Sequence, residues 1–403
     1  MTASWVVKTA IELQRAGHLL VEDGNHGEYR PRREEFNRTG VAFIRAANMR
    51  NGRVLFERAS RINQVALARI RKGIGRPGDT LLSHKGTVGK VAWAPLDAPP
   101  FVCSPQTTFW RAMPRGELEG RYLTYYLLSR DFQAQLDAYK GETSMADYVS
   151  LTSQRLLKVV VPPLTEQRRI AAVLGALDDK RETNRRLKQS LELVARALFR
   201  TWFVEFEGHD DLVESDAGLI PRGWELGTIG SAIRLLYGRS LPKGSRLPGV
   251  VPVYGSGGIA GTHSEPLVDG PGVIVGRKGS VGTVYWEARP FYPIDTVFYV
   301  EAASEAWLNW SYELLRSLDI ERLAADSAVP GVNRNAILSQ ACIIPPDARV
   351  QEFWRVTGVI RARIRSLAEE SQVLTELRDT LLPKLLSGEL RAPEAMALVK
   401  GIL

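Results

Sequence analysis

The stretch HKGTVGKVAW at residues 84–93 returns as RKGSVGTVYW at residues 277–286. Both copies read Lys-Gly-(Thr/Ser)-Val-Gly-x-Val with a tryptophan two residues on, 193 positions apart. A chain that says this twice is built on one plan used twice, so whatever surrounds the first copy should surround the second.

The flanks agree. An aromatic-rich stretch follows each copy, LTYYLLSRDF at 123–132 and WLNWSYELLRSL at 307–318, and reads as a short amphipathic helix. Next comes an apolar run ending in a proline pair, LLKVVVPPLTEQ at 156–167 and QACIIPPDARVQ at 340–351. The offset has drifted to about 183, so order is kept while loop lengths differ.

After each proline pair the period becomes seven. Ile170, Leu177, Leu191 and Leu198 recur at every seventh place, with Asn184 filling the remaining one; Val173, Leu187 and Val194 form a second seam. The later segment has Phe353, Ile360, Leu367, Leu374 and Leu381, with Val356, Ile364 and Leu377 beside them. This spacing predicts two long helices with a coiled-coil seam, on which an asparagine fixes register at some cost in stability. Each helix must bury its stripe. The partner at hand is the other copy's helix, paired antiparallel so that one globular unit lies at each end; burial inside the helical bundle of an enzyme is the alternative. Thr165 and Asp347 are the expected N-caps.

The fold class expected is α+β: two mixed α/β domains joined by two long antiparallel helices in a pseudo-twofold internal repeat. The first domain takes residues 1–163 and the first helix 164–206; a linker and the second domain take 207–346, the second helix 347–390 and a tail without a predicted element 391–403. GVIVGRKGSVGTVYW at 272–286 predicts strand–turn–strand with positive φ at Gly276, Gly279 and Gly282, and VPVYGSGGIAG at 251–261 reads likewise.

The 53 Lys and Arg against 45 Asp and Glu leave a charge of +8, which favours polyanionic partners. Two distant cysteines, Cys103 and Cys342, imply neither a disulfide framework nor a zinc knuckle and fit a reducing cytoplasm. Lys8, Glu12 and Arg15 near the start, with no apolar run of about 18 residues anywhere, lead us to expect no signal peptide and no membrane span.

Catalytic constellations are missing. GTVGKV has the wrong spacing for a phosphate-binding P-loop, and VYGSGG around Ser256 lacks the glycine of a nucleophile elbow. His18, His26, His84, His209 and His263 are scattered without metal-ligand spacing, and GHDD at 208–211 reads as a solvated linker. The proline pairs are not the Asn/Asp-Pro-Pro-aromatic signature of an amino-methyltransferase. No catalytic residue, metal ligand or cofactor is therefore assigned to this chain.

What is present suits binding. Lys85 with His84, and Arg277 with Lys278, sit beside glycines that let backbone N–H groups approach a ligand, and Thr87 and Ser280 add hydroxyls. Such loops suit phosphate contacts, which position a protein on DNA; a hairpin whose charges simply face solvent is the alternative. VEDGNHGEYRPRREEFNR at 21–38 is expected to have no counterpart in the second unit, which carries YGRSLPKGSRLPG at 237–249. These loops supply Asn25, Arg30, Arg32, Arg239 and Arg246, side chains of the kind that read base edges.

The order of parts resembles the specificity subunit of Type I restriction-modification systems over nearly the whole chain. The motifs are P-P-L-x-E-Q-x-x-I at 162–170, LPKLLSGEL at 382–390 and Gly-Arg-Lys-Gly-Ser-x-Gly at 276–282. The resemblance implies two target-recognition domains, each reading half of a bipartite, asymmetric site in double-stranded DNA, with the two helices docking two methyltransferase subunits. Those partners would hold S-adenosylmethionine for chemistry at adenine N6. Two translocating endonuclease subunits, with ATP and Mg, would complete the complex. This chain would be non-catalytic and cytoplasmic. DARVQEFWRV in the second copy departs from the fuller TEQRRIAAV of the first, and His84 stands where the second has Arg277. Two rival readings remain at this level: a coiled-coil scaffold with protein-binding ends, and a divergent single-chain DNA methyltransferase. If the helices are a ruler, four residues inserted into one lengthen it by about 6 Å and change the tolerated spacer; an unchanged spacer in modification assays refutes the ruler.

Overall fold

Each proline pair ends a strand and starts a helix at once. In the computed structural model, which describes residues 5–140, 147–325 and 331–401, the long helices are Leu164–Phe203 and Asp347–Ser387. The Pro163 carbonyl accepts from the backbone of Glu166 at 2.8 Å and Gln167 at 3.1 Å, and that of Pro346 from Arg349 at 2.9 Å and Val350 at 3.3 Å. Proline's fixed φ already suits a helix start, so neither expected cap is used. Thr165 falls inside the first turn, and the Asp347 carboxylate instead accepts from the Trp307 indole at 2.8 Å. The second helix stops at Gly388, whose φ of 75° only glycine adopts cheaply.

The chain divides into two compact units, Met1–Thr183 with Ser371–Leu403, and Asn184–Glu370. The division runs through both long helices, so each unit owns one sheet-rich domain and half of each helix.

In the first unit a six-stranded sheet has the order Leu19–Asp23, Thr107–Ala112, Thr80–Ser83, Val91–Trp93, Gly52–Val54, Met49–Arg50. A five-stranded sheet, centred on Val41–Ile44 beside Phe101–Cys103, accompanies it, and Val6–Thr9 pairs antiparallel with Lys158–Val161. The second unit repeats the plan with fewer strands. Arg234–Tyr237, Val297–Glu301, Gly272–Gly276 and Val284–Glu287 stand in the order of the first four strands above, and Glu225–Thr228 pairs with Ala341–Ile344 just before the second proline pair. The expected aromatic helices are Gly120–Leu128 and Glu305–Ser317; in the first copy Ser129 breaks the helix and caps the next.

The helix halves complete the cores. Ile170, Val173, Leu174 and Leu177 join Leu374, Leu381 and Leu385 around Tyr122, Tyr126 and Trp110 in the first unit. The tail left without a predicted element is a helix there, Ala392–Lys400, burying Ala392, Ala395 and Val399. In the second unit Phe199, Phe203, Val350 and Phe353 gather with Trp310. Here Asn184 donates to Glu370 at 2.9 Å, Glu192 meets Arg361 at 3.2 Å, and the Phe203 and Phe353 rings lie 5.1 Å apart edge to face. Rising numbers meet falling ones, so the halves run antiparallel.

The predicted stripe needs adjustment. Ile170, Leu177, Asn184, Phe353, Leu367, Leu374 and Leu381 are buried, while Leu191, Leu198 and Ile360 are half-buried. Leu187, Val194 and Val356 of the supposed second seam are exposed. Ile364 of that seam is buried as expected, and the places of the three exposed residues pass to Ala195, Phe199, Thr357 and Arg361, because the helices pack against their own domain as well as each other.

Polar seats mark those contacts. Arg361, 5% exposed, donates to Glu313 at 2.5 Å and Asn309 at 2.8 Å; Asn309 donates to Thr357 at 2.8 Å, and Arg316 meets Glu192 at 3.0 Å. Burial raises the Glu313 pKa against the pull of Arg361 and Arg316. The first unit seats Tyr125 on Asp178 at 2.9 Å, with Arg181 and Arg378 on the same carboxylate at 2.7 and 3.1 Å, and Arg121 forks onto Asp179. Gln167 of the P-P-L-x-E-Q motif is fully buried, donating to the Glu117 and Pro162 carbonyls at 2.8 Å each and accepting from the Glu119 backbone at 2.9 Å. Its counterpart, Val350, is equally buried but apolar. We predict that Gln167→Leu destabilises the first unit by about 1–3 kcal/mol, because three backbone groups lose partners; an unchanged urea midpoint contradicts this.

Candidate nucleic-acid interface

The duplicated motif is a hairpin loop in both units. Ser83 donates to the Lys90 carbonyl at 2.9 Å and accepts from Gly89 at 3.0 Å; Gly276 donates to Thr283 at 2.7 Å and accepts from Gly282 at 3.0 Å. Gly86 and Gly89 have φ of 80° and 95°, Gly279 and Gly282 of 79° and 78°. Gly276, expected to share this conformation, does not. It is glycine because a Cβ would lie 2.3 Å from the Ser280 carbonyl oxygen. A returning segment docks on each loop through the same bond, Val149 to the His84 carbonyl at 2.9 Å and Val332 to that of Arg277 at 3.0 Å.

The two variable loops also leave the scaffold at one place. Leu19–Asp23 runs into Gly24 and Arg234–Tyr237 into Gly238, and each glycine donates across to the neighbouring strand at 3.2 Å, to Thr107 and Val297. A Cβ would lie 2.0 Å from the Cys103 oxygen in one and 2.1 Å from that of Ile294 in the other. So residues 21–38 and 237–249, expected to have no counterpart in each other, are topological equivalents whose sequences have diverged. By register Asp23 faces Thr108 as Tyr237 faces Phe298, and Asn25 and Arg239 are the first residues beyond each glycine.

The chemistry at equivalent places differs sharply. In the second unit the Arg277 guanidinium lies 4.9 Å from the centre of the Tyr237 ring and 5.7 Å from that of Phe298, and donates to the Asp295 carbonyl at 3.2 Å. A second guanidinium, Arg334, lies 5.2 Å from the same Tyr237 ring. Lys278, Ser280 and Arg239 are exposed around them. In the first unit His84 is buried at 2% exposure, its Nδ1 held by the Val149 carbonyl at 3.1 Å, so it is turned away from the surface where it was expected to contact a ligand. Lys85 reaches over Tyr148 at 5.9 Å, and Lys85, Thr87, Asn25, Arg30 and Arg32 are exposed. Arg246 is a structural tie, donating to the carbonyls of Ala260 at 2.6 Å and Leu241 at 3.3 Å, and is not a free reading residue. Sequence reasoning missed Tyr237, Arg334 and Tyr148: Tyr237 could have been found as the last strand residue before a variable loop, but nothing local marks the other two.

Burial lowers the pKa of His84 and of His26, whose Nε2 meets the Cys103 carbonyl at 2.9 Å, below 6.5. Both are held neutral, so their contribution to stability is present above pH 6.5 and is lost as the pH falls from there through the folded pKa values. The urea midpoint of the first unit should fall on acidification across this window, and the double variant His26→Gln, His84→Gln should flatten the fall; equal slopes would exclude the two histidines as its cause.

Among the described residues no group of three or more His, Cys, Asp or Glu side chains could hold a metal, and no helix is long and apolar enough to cross a membrane. Residues 25–193 match the family model described as the Type I restriction modification DNA specificity domain. The Type I restriction enzyme MjaIX specificity subunit of Methanocaldococcus jannaschii is 26% identical over 342 residues, covering 77% of this chain and 79% of that protein. The HindI specificity subunit of Haemophilus influenzae is 21% identical, covering 89% and 96%. The crystal structure of a Type I restriction-modification S subunit from M. genitalium shares the fold with a TM-score of 0.52 at 17% identity, covering 94% of this chain and 96% of that one. Residues 25–193 thus match a Type I restriction modification DNA specificity domain, and along most of its length the chain is similar to the specificity subunits of these systems.

Proposed function

We propose that this chain is the non-catalytic, sequence-reading subunit of a Type I restriction-modification complex, with each unit reading one half of a bipartite, asymmetric site in double-stranded DNA. One observation carries the reading: a common scaffold is built twice with different side chains at matching places, Asp23 against Tyr237, Asn25 against Arg239 and His84 against Arg277. Two identical readers would suit a symmetric site; two scaffolds with different chemistry suit an asymmetric one. Phosphate contacts from Lys85, Thr87, Lys278 and Ser280 would position the protein, and Asn25, Arg30, Arg32 and Arg239 would reach base edges.

Two methyltransferase subunits would dock on the long helices. Supporting this, the helix halves of the second unit expose Leu193 at 66%, Val194 at 49%, Val356 at 44% and Val359 at 71%, apolar surface of the kind a partner subunit covers. S-adenosylmethionine would act in those subunits, and ATP and Mg in two endonuclease–translocase subunits, with no cofactor on this chain and the whole complex in the cytoplasm.

The test is adenine-methylation mapping of DNA from cells expressing this chain with its cognate methyltransferase, against cells with the methyltransferase alone. A bipartite motif that appears only with the chain is expected. Its absence, with both proteins expressed and assembled, would overturn the proposal in favour of a scaffold role.

A further inference from the structure

The two guanidiniums on Tyr237 are electrostatically unfinished. Arg277 and Arg334 both face one ring, and among the described residues neither has a carboxylate partner. With the two guanidiniums 4.9 and 5.2 Å from one ring centre, two like charges share one small site, and an anion beside them would offset their repulsion. Arg277 spends one N–H on the Asp295 carbonyl, and Arg334 Nε is buried with no hydrogen-bond partner among the described residues. Tyr237 itself is 47% exposed, so the cluster opens to solvent.

Backbone amides do not serve here, because the Arg277 and Lys278 N–H groups are both committed to the Thr296 carbonyl at 2.9 and 3.2 Å. The donors are therefore side chains, held on shared scaffold: the end of an edge strand, the duplicated hairpin loop and the first residue of the helix Arg334–Leu338. Gly331, with φ of 128°, lets the returning segment reach that loop, since a Cβ there would lie 2.7 Å from the Arg277 carbonyl oxygen. Scaffold positions stay put when the reading loop varies, which suits a contact common to every sequence.

The first unit has none of this. Asp23 stands for Tyr237, the buried His84 for Arg277, and Leu151, the first residue of its helix after the Ser150 cap, for Arg334 after the Asn333 cap.

We propose that Arg277 and Arg334, set on Tyr237, are a DNA-backbone phosphate anchor that the second unit possesses and the first lacks. This rests on the DNA-reading role proposed above. One phosphate offers acceptor oxygens to both guanidinium forks, and its charge relieves their repulsion. DNA binding would then be asymmetric in kind, with the second half-site carrying more of the salt-dependent affinity.

The experiment measures affinity of the assembled complex of this chain with its methyltransferase for its mapped duplex and for an unrelated duplex, across salt concentrations. Arg277→Gln and Arg334→Gln should each weaken binding to both duplexes by the same factor and reduce the slope of log affinity on log salt, by about 0.9 for loss of the phosphate contact. Arg334→Lys should keep the slope, and His84→Gln in the first unit should leave it unchanged. Unchanged slopes in the Gln variants, a loss confined to the mapped duplex, Lys and Gln variants failing alike, or an equal effect of His84→Gln would each overturn the anchor. A wild-type complex with no preference for its mapped duplex would instead count against the DNA-reading role, while the slope on the unrelated duplex would still decide the anchor.

Discussion

A guanidinium taken out of water is tolerated only where acceptors and opposite charge meet it. Arg361, 5% exposed in the second helix, donates to Glu313 and Asn309 and is ion-paired with Glu192. These belong to the domain's own helix and to the facing long helix. Removing one partner of such a buried pair typically costs about 3–5 kcal/mol, so the domain can rest on its helices in few ways other than the one observed. The first unit reaches the same end with Tyr125, Arg378 and Arg181 converging on Asp178. Apolar burial brings helix and domain together in each unit, and the polar contacts tie particular residues of one to the other.

From those contacts the rest of each unit follows. The aromatic helix carries the sheet, the sheet carries the hairpin loop, and the loop receives the returning segment at Val149 or Val332. Close backbone approach at Gly24 and Gly238 then releases the variable loops from matching edges. A rigid frame with two divergent loops can change what it contacts without changing how it folds. This separation of support from contact is the usual arrangement for recognition surfaces.

Much of the frame was legible. The hairpins at 272–286 and 251–261, the aromatic helices, both long helices and the repeated order followed from periodicity and glycine placement. The equivalence of the loops after Gly24 and Gly238 was not, because it lives in strand register and leaves no shared residues beyond one glycine. The exposed Leu187, Val194 and Val356 were misread for a related reason. A heptad count assumes one facing partner, whereas these helices divide their surface between a partner helix and a domain. The C-terminal helix Ala392–Lys400 escaped notice because a nine-residue segment with proline near its start has little period of its own and gains stability mainly from the core it covers.

By itself the sequence determined the doubled plan, the length and entrance of the long helices, the turns that only glycine can make and the excess of positive charge. These are local or periodic properties, set by backbone sterics and by the need to bury an apolar stripe. Only the tertiary structure decided which charges are spent and which are free. Arg246 is consumed by two carbonyls, His84 is turned inward and kept neutral, and Arg277 and Arg334 meet on one tyrosine from places 57 positions apart in the sequence. Whether a side chain holds the fold or faces a ligand depends on neighbours brought in from far along the chain, and no local pattern encodes them.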